Sequence, residues 1–158
     1  RRQRQMCIRD SKDVMLCIQP GEHGSTYGGN PLGSAVAITA LDTIVKENMC
    51  ERAEKLGESM RSSLKQIQNP LLLEVRGKGL LNAIVIDETK STKGRSAWDL
   101  CLLLKDKGLL AKPTHQNIIR LAPPLVISEE EMERGIKIIT EALDDLDKVD
   151  TIPGAEAH

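Results

Sequence analysis

Phenylalanine is absent from this 158-residue chain, and Tyr27 and Trp98 are its only aromatic side chains. Without an aromatic platform there is nothing on which unpaired bases can stack, and the usual grip on single-stranded nucleic acid is missing. An excess of charge of one sign is missing too. The 22 basic and 23 acidic side chains leave a formal net charge of −1, which gives no electrostatic footprint for a phosphate backbone. No apolar run approaches the roughly 20 residues of a membrane span. Neither nucleic acid nor membrane is therefore expected as a partner. Cys7, Cys17, Cys50 and Cys101 are scattered without a CxxC pair. Together with His23, His115 and His158 they offer no zinc-like spacing, so no metal is expected. The cysteines read instead as small buried thiols in a reducing compartment.

What is present is enough for a core. At 40% hydrophobic and 28% charged the chain is ordered and globular rather than disordered, and its length suits one domain. The ends are uneven. Residues 1–10 carry Arg1, Arg2, Arg4 and Arg9 against Asp10. That stretch is too short for a transit peptide and is expected to be an unstructured or foreign leader. From Glu141 onward Asp144, Asp145, Asp147, Asp150 and Glu156 face Lys148 alone, and this acidic end is expected to fray.

Between the ends, Asn30-Pro31 opens a helix, Asn as cap and Pro at the first helical position. Leu32, Val36, Ala40 and Ile44, widened by Leu41 and Val45, carry its stripe to about residue 48. A second helix follows at once on Ala53, Leu56, Met60, Leu64 and Ile67, stopped by Asn69-Pro70. Strands are expected at 71–76 and 80–87 around Gly77-Lys78-Gly79, a turn or bulge, and Ala83-Ile84-Val85-Ile86 reads as a buried strand. A helix over 97–107 ends at Gly108. Strands at 109–112 and 117–121 are expected to flank a Pro113-Thr114-His115 loop. Ser128 and Glu131 form a capping box for a last helix whose apolar face is Met132, Ile136, Ile139, Leu143 and Leu146. The sum is an α/β or α+β module, a small sheet covered by helices.

Three stretches carry residues suited to chemistry. Residues 21–30, GEHGSTYGGN, combine glycines that let a ligand approach the backbone with the hydroxyls of Ser25 and Thr26, just ahead of a helix start that favours an anion. The stretch matches neither common nucleotide-loop pattern, and by its chemistry alone it reads first as a glycine-rich turn with an Asn cap and second as an anion-binding loop. Arg120 follows Ile118-Ile119 and precedes Ala122-Pro123-Pro124. A guanidinium on an apolar strand reaches solvent or meets an anion, and its planar fork suits a carboxylate of either a ligand or the protein. His115 reads as surface or loop-stabilising. Lys78, between two glycines, reads as solvated rather than as an activated nucleophile.

Together HGSTYGGNPL, VRGKGLL and IIRLAPPL, in this order and spacing, resemble the carboxyl-terminal part of the class III pyridoxal-phosphate aminotransferases, over about residues 13–146. LLAKPTH ahead of NIIRLAPPL resembles the branch that moves the δ-amino group of L-ornithine to 2-oxoglutarate, giving glutamate 5-semialdehyde and glutamate in arginine catabolism and proline synthesis. The resemblance implies pyridoxal 5'-phosphate as cofactor, an amino acid and a 2-oxo acid as substrates, and a homodimer or larger homo-oligomer. Thr26 and Ser25 match the loop that holds the cofactor phosphate across the dimer interface. Arg120 matches the arginine that binds the substrate carboxylate or pairs with an upstream glutamate.

The implied layout is the end of the large cofactor-binding domain at 11–30, an interdomain helix at 31–48, the small domain at 49–147 and a tail at 148–158. The family's Schiff-base lysine and the aspartate facing the pyridine nitrogen lie upstream of the HGST motif. Only Asp10, Lys12 and Asp13 stand before it here, none in that context, so no catalytic residue is assigned and the chain is not expected to transaminate alone. The leader at 1–10 does not resemble large-domain sequence, which suggests a truncated or misassembled gene product. The cytoplasm is the expected compartment, with the mitochondrial matrix as alternative. Relatives acting on acetylornithine or 4-aminobutyrate, and a non-catalytic module that joins intact subunits, are the competing readings.

Overall fold

A computed structural model describes residues 16–19, 21, 22, 24 and 28–154. The chain divides into two units, residues 1–43 and 44–158. Helix α1, Pro31–Lys46, begins as its sequence dictates, with Asn30 Oδ1 accepting the Gly33 N–H at 3.1 Å. None of its residues is buried, and the expected apolar stripe stands open, with Leu32 74%, Val36 60%, Leu41 65% and Val45 73% exposed. Asn48, at φ +49, takes the left-handed conformation that Asn tolerates, and α2, Met49–Lys65, follows immediately.

In the second unit the remaining elements are β1 (Leu72–Lys78), β2 (Leu81–Ile86), a short 3₁₀ turn (Glu88–Lys90), α3 (Ala97–Asp106), β3 (Lys112–His115), β4 (Ile118–Leu121) and α4 (Glu129–Asp145). The four strands form one antiparallel sheet in the order β1-β2-β4-β3. Helix α2 packs on β1 and β2, α3 packs on β3 and β4, and α4 rests on both helices. Val75, Ile84 and Ile119 lie opposite one another across the sheet and are all buried, as are Asn82, Ile86 and Leu121 of the same face. The stripe of α2 and the residues Met132, Ile139 and Leu143 of α4 complete that core. Both α3 and α4 start on capping boxes, Ser96 with Asp99 and Ser128 with Glu131. The backbone N–H and the hydroxyl of Ser128 donate to the Glu131 carboxylate and hold its pKa below the usual range.

One tight approach fixes the sheet against α2. A Cβ built on Gly57 would stand 1.8 Å from the Gly79 carbonyl oxygen, so helix and hairpin turn touch backbone to backbone. Arg61, one turn later, donates to that same oxygen at 2.9 Å and to Asn82 Oδ1 at 2.8 Å, while Asn82 Nδ2 donates to Gly79 O at 3.1 Å. Asn82 is the one buried polar side chain among the described residues, and this network answers its hydrogen-bonding needs. The turn is the two-residue Gly79-Leu80, with Gly79 at φ +53 as primed hairpin turns require. Gly77 and Lys78, expected in the turn, belong to β1 instead.

Three other expectations are corrected. Pro113-Thr114-His115, expected as a loop, forms β3. As the outermost strand it has one edge without a partner, where a proline's missing N–H costs nothing, and the turn falls at Gln116-Asn117, with Gln116 at φ +41. The cysteines are not uniformly buried. Cys101 is, and burial pushes its thiol up to about 11, but Cys50 sits on the outer face of α2 and Cys17 is exposed too, while Cys7 lies outside the described residues.

The acidic end, expected to fray, is tied down as far as Ile152, which is 5% exposed. Asp147 accepts from Ser91 Oγ at 2.6 Å and from the Thr92 N–H at 2.8 Å. Lys93 Nζ reaches Asp150 at 2.8 Å, and Arg95 Nη2 donates to the Val149 and Asp150 carbonyls at 2.8 and 3.0 Å.

Two outcomes test this packing. Gly57→Ala forces α2 off the turn and is expected to cost roughly 3 kcal/mol, at the upper end of overpacking effects, read as a lower denaturation midpoint. An unchanged midpoint would mean that the helix and turn can part freely. Burial alone would raise the pKa of Asp147, but hydrogen bonds from Ser91, Thr92 and Lys93 outweigh it and hold the carboxyl below its ordinary value. Its stabilisation is therefore fully present above the ordinary carboxylate range and lost as pH falls through the lowered value. Asp147→Asn should lower stability by about 1 kcal/mol at neutral pH, and the gap from the parent chain should close in acid below about pH 4. A gap that persists in acid would show that the aspartate's charge is not what holds the end down.

Candidate functional site

The sheet has a second face. Because side chains alternate along a strand, the residues opposite Val75, Ile84 and Ile119 in phase point away from the helices. Arg76 of β1, Ala83 of β2, Arg120 of β4 and Lys112 of β3 stand in one cross-strand row. Arg120 is thus placed near the middle of the open face, with the alanine on one side and the β3 lysine on the other. It makes no ion pair with a carboxylate among the described residues. The protein-carboxylate alternative left open by its sequence context finds no partner among the described residues.

The strand that carries Arg120 is held at both ends. Its start is fixed by the Gln116-Asn117 turn, where Asn117 Nδ2 donates to the Ile86 carbonyl at 2.9 Å. Beyond its end, the Arg52 guanidinium of α2 donates to the carbonyls of Leu125 and Ile127, fastening the connection that leads into α4. Between Arg76 and Arg120 lies a shallow cavity of about 320 Å³, floored by Ala83 and rimmed by Gly77 and Thr114. A second cavity of about 430 Å³ lies between the Pro123-Pro124 connection and α4, and Arg120, Glu131 and Arg134 line it together with apolar side chains, so Arg120 borders both cavities. Among the described residues no group of three His, Cys, Asp or Glu side chains is placed to hold a metal ion.

Ser25 and Thr26 lie outside the described residues, as does His23. A Cβ at Gly24 or Gly29 would meet nothing within 4 Å among the described residues, Gly29 has φ +74, and the first turn of α1 contains no acidic residue. His115 is exposed on the edge strand opposite Ile118, away from any cluster, and Lys78 is exposed at the end of β1. The residue that sequence reasoning passed over is Arg76, whose place beside Arg120 depends on a strand register that no spacing along the chain reveals.

Comparison with known proteins identifies the family. A sequence model of the family described as "Aminotransferase class-III" matches residues 5–143. The ornithine aminotransferase of Emericella nidulans is 66% identical over 140 residues, which are 89% of this chain and 31% of that protein. The mitochondrial ornithine aminotransferase of Rattus norvegicus is 55% identical over 83% of this chain and 29% of its own. Among solved structures, ornithine delta-aminotransferase of Plasmodium falciparum superposes with a TM-score of 0.74 at 41% identity, covering 87% of this chain and 35% of that one. The acetylornithine aminotransferase of Elizabethkingia anophelis gives 0.70 at 54% identity, over 84% and 35%. The chain spans about a third of the length of the relatives it matches. Its motifs, its helix-covered antiparallel sheet and these matches place it in the class III aminotransferase family, whose small α+β domain it carries.

Proposed function

We propose that the chain is the carboxyl-terminal part of an ornithine aminotransferase, transferring the δ-amino group of L-ornithine to 2-oxoglutarate. The observation that carries this is the 66% identity over 140 residues to the fungal ornithine aminotransferase. In this reading residues 11–30 end the large domain, residues 31–48 form the interdomain helix, residues 49–147 are the small domain and residues 148–158 a tail. The open stripe of α1 is consistent with that division, because a helix with an apolar face needs a neighbour to cover it. Class III aminotransferases use pyridoxal phosphate, and the bound cofactor supplies the amino carrier and electron sink that no side chain offers. Thr26 and Ser25 would hold its phosphate, in a homodimer across the subunit interface. Arg120 would hold and orient a substrate carboxylate. The Schiff-base lysine is assigned to the part of the enzyme beyond these 158 residues.

The acetylornithine-directed reading is the second one, favoured by the 54% identity to the Elizabethkingia anophelis structure. Turnover of ornithine against acetylornithine and 4-aminobutyrate by the full-length enzyme separates the two. The cytoplasm is the proposed compartment, with the mitochondrial matrix, named for the rat relative, as the alternative.

Sequencing the transcript upstream of the Arg1 codon should reveal a continuous frame that encodes a lysine-bearing large domain. A stop codon followed by an independent start would overturn the enzymatic reading in favour of a non-catalytic module. In the full-length enzyme, Thr26→Ala should weaken cofactor retention about tenfold or more, the equivalent of one charge-assisted hydrogen bond. Arg120→Lys keeps the charge and loses the fork, so substrate KM should rise. Unaltered cofactor affinity in the first variant, or normal kinetics in the second, would remove the corresponding assignment.

A further inference from the structure

The row on the open face of the sheet holds a second guanidinium that the reading of Arg120 does not use. Arg76 and Arg120 lie opposite the same residue, Ala83, on the two neighbours of β2. Their backbones are therefore roughly 10 Å apart, twice the spacing of adjacent strands. Alanine is the only short side chain in the row, and its smallness leaves the cavity of about 320 Å³ between the two arginines, with Thr114 on the rim. A longer side chain at position 83 would narrow that space.

The charges around this cavity do not balance. Arg76 meets one carboxylate, Glu74 at 3.8 Å, in a pair whose side chains are 54% and 51% exposed, the kind of contact that contributes little. Arg120 pairs with no carboxylate among the described residues, and Lys112 adds a third cation beyond it. In open solvent such a row would be unremarkable. The face is not built for open solvent, however. Leu81 stands 59% exposed beside it, and the half-buried Ile118 and the buried Val85 are the other apolar side chains of this face on β4 and β2. Apart from Asn82, strand β2 is apolar on both sides, the pattern of a strand covered on both faces. Covering this face strips water from the two guanidiniums, and they then require an anion. Both arginines line the cavity over Ala83, and two planar forks brought together there would present donors to both oxygens of one carboxylate.

We propose that Arg76 is a second carboxylate-binding residue of the Arg120 cleft, contributing its guanidinium to the grip on the carboxylate-bearing substrate. The proposal rests on the reading of Arg120 as the substrate-carboxylate residue. The competing source of the anion is a carboxylate of the polypeptide that covers the face, and the experiment separates the two.

In the full-length enzyme, the inhibition constant of glutarate, a dicarboxylate without the reacting keto group, is measured together with KM and kcat for 2-oxoglutarate. Arg76→Gln should raise the glutarate constant and KM about tenfold, the loss of one charge-assisted hydrogen bond, with kcat changed less than about threefold. Arg76→Lys, which keeps the charge and loses the fork, should give a smaller rise in the same two quantities, and it carries the test if the glutamine variant does not fold. Unchanged glutarate inhibition and KM in the Arg76 variants, beside a raised KM in Arg120→Lys, would overturn the role of Arg76 and leave that of Arg120 standing. A lowered Tm in Arg76→Gln with unchanged glutarate binding would assign its anion to the protein and equally overturn the proposal. Normal kinetics in Arg120→Lys would remove the reading of Arg120 and this inference with it.

Discussion

The contact between Gly57 and the Gly79 carbonyl admits no side chain at all, and the geometry of the sheet depends on it. A helix that touches a hairpin turn through bare backbone fixes the height of the turn. Arg61 then fixes its rotation, because one guanidinium nitrogen bonds both the turn carbonyl and Asn82. Asn82 is the first inward-facing residue of β2, so its capture sets which residues of that strand face the core. Slipping the strand by one residue would bury Ala83 and turn Ile84 outward. It would also place Arg76 and Arg120 opposite different neighbours. A single close approach in the body of the domain thus determines the arrangement of charges on its far surface.

That far surface is unusual for a small antiparallel sheet. Such sheets commonly alternate, apolar toward the core and polar toward water, and β4 obeys the rule with Ile119 and Leu121 inward and Arg120 outward. Strand β2 does not, since Leu81, Ala83 and Val85 are apolar on the outer side as well. Helix α1 shows the same surplus by itself, with a row of large aliphatic side chains more than half exposed. Apolar surface beyond what the described residues cover is a statement about partners. It accords with a chain spanning about a third of the length of its relatives.

How much of this was legible in the sequence follows from the range of each interaction. The helices and the caps at Asn30 and Ser128 were, because Asn30, Ser128 and Glu131 act within three residues of their targets and an apolar stripe repeats within one turn; the Ser96–Asp99 capping box of α3 was not read. The hairpin was legible as a turn but not to the residue, since Gly77 extends the strand although glycine ordinarily marks its end. Strand β3 was missed because proline argues against a strand unless the strand is known to lie at an edge, and edges are decided by the whole sheet. The anchoring of the acidic end was missed for the same reason: Asp147 and Asp150 bind residues more than fifty positions away. At the site, Arg120 stood out by its apolar neighbours. Arg76 sat in an ordinary-looking Val-Arg-Gly and had nothing local to mark it.

The pairing of Arg76 with Arg120 shows what strand order adds to motif reading. Position 76 lies seven residues from 83, and 83 lies 37 from 120, yet the register of three strands brings all of them to one line. Two like charges set across one alanine repel each other and add nothing to the stability of an isolated domain. Arrangements of this kind persist where an anion completes them, because a desolvated guanidinium gains most from a carboxylate that accepts both of its donors. The same alanine that makes the charges costly keeps open the space such an anion would fill. The cross-strand row is in keeping with the proposed grip of Arg76 and Arg120 on a carboxylate.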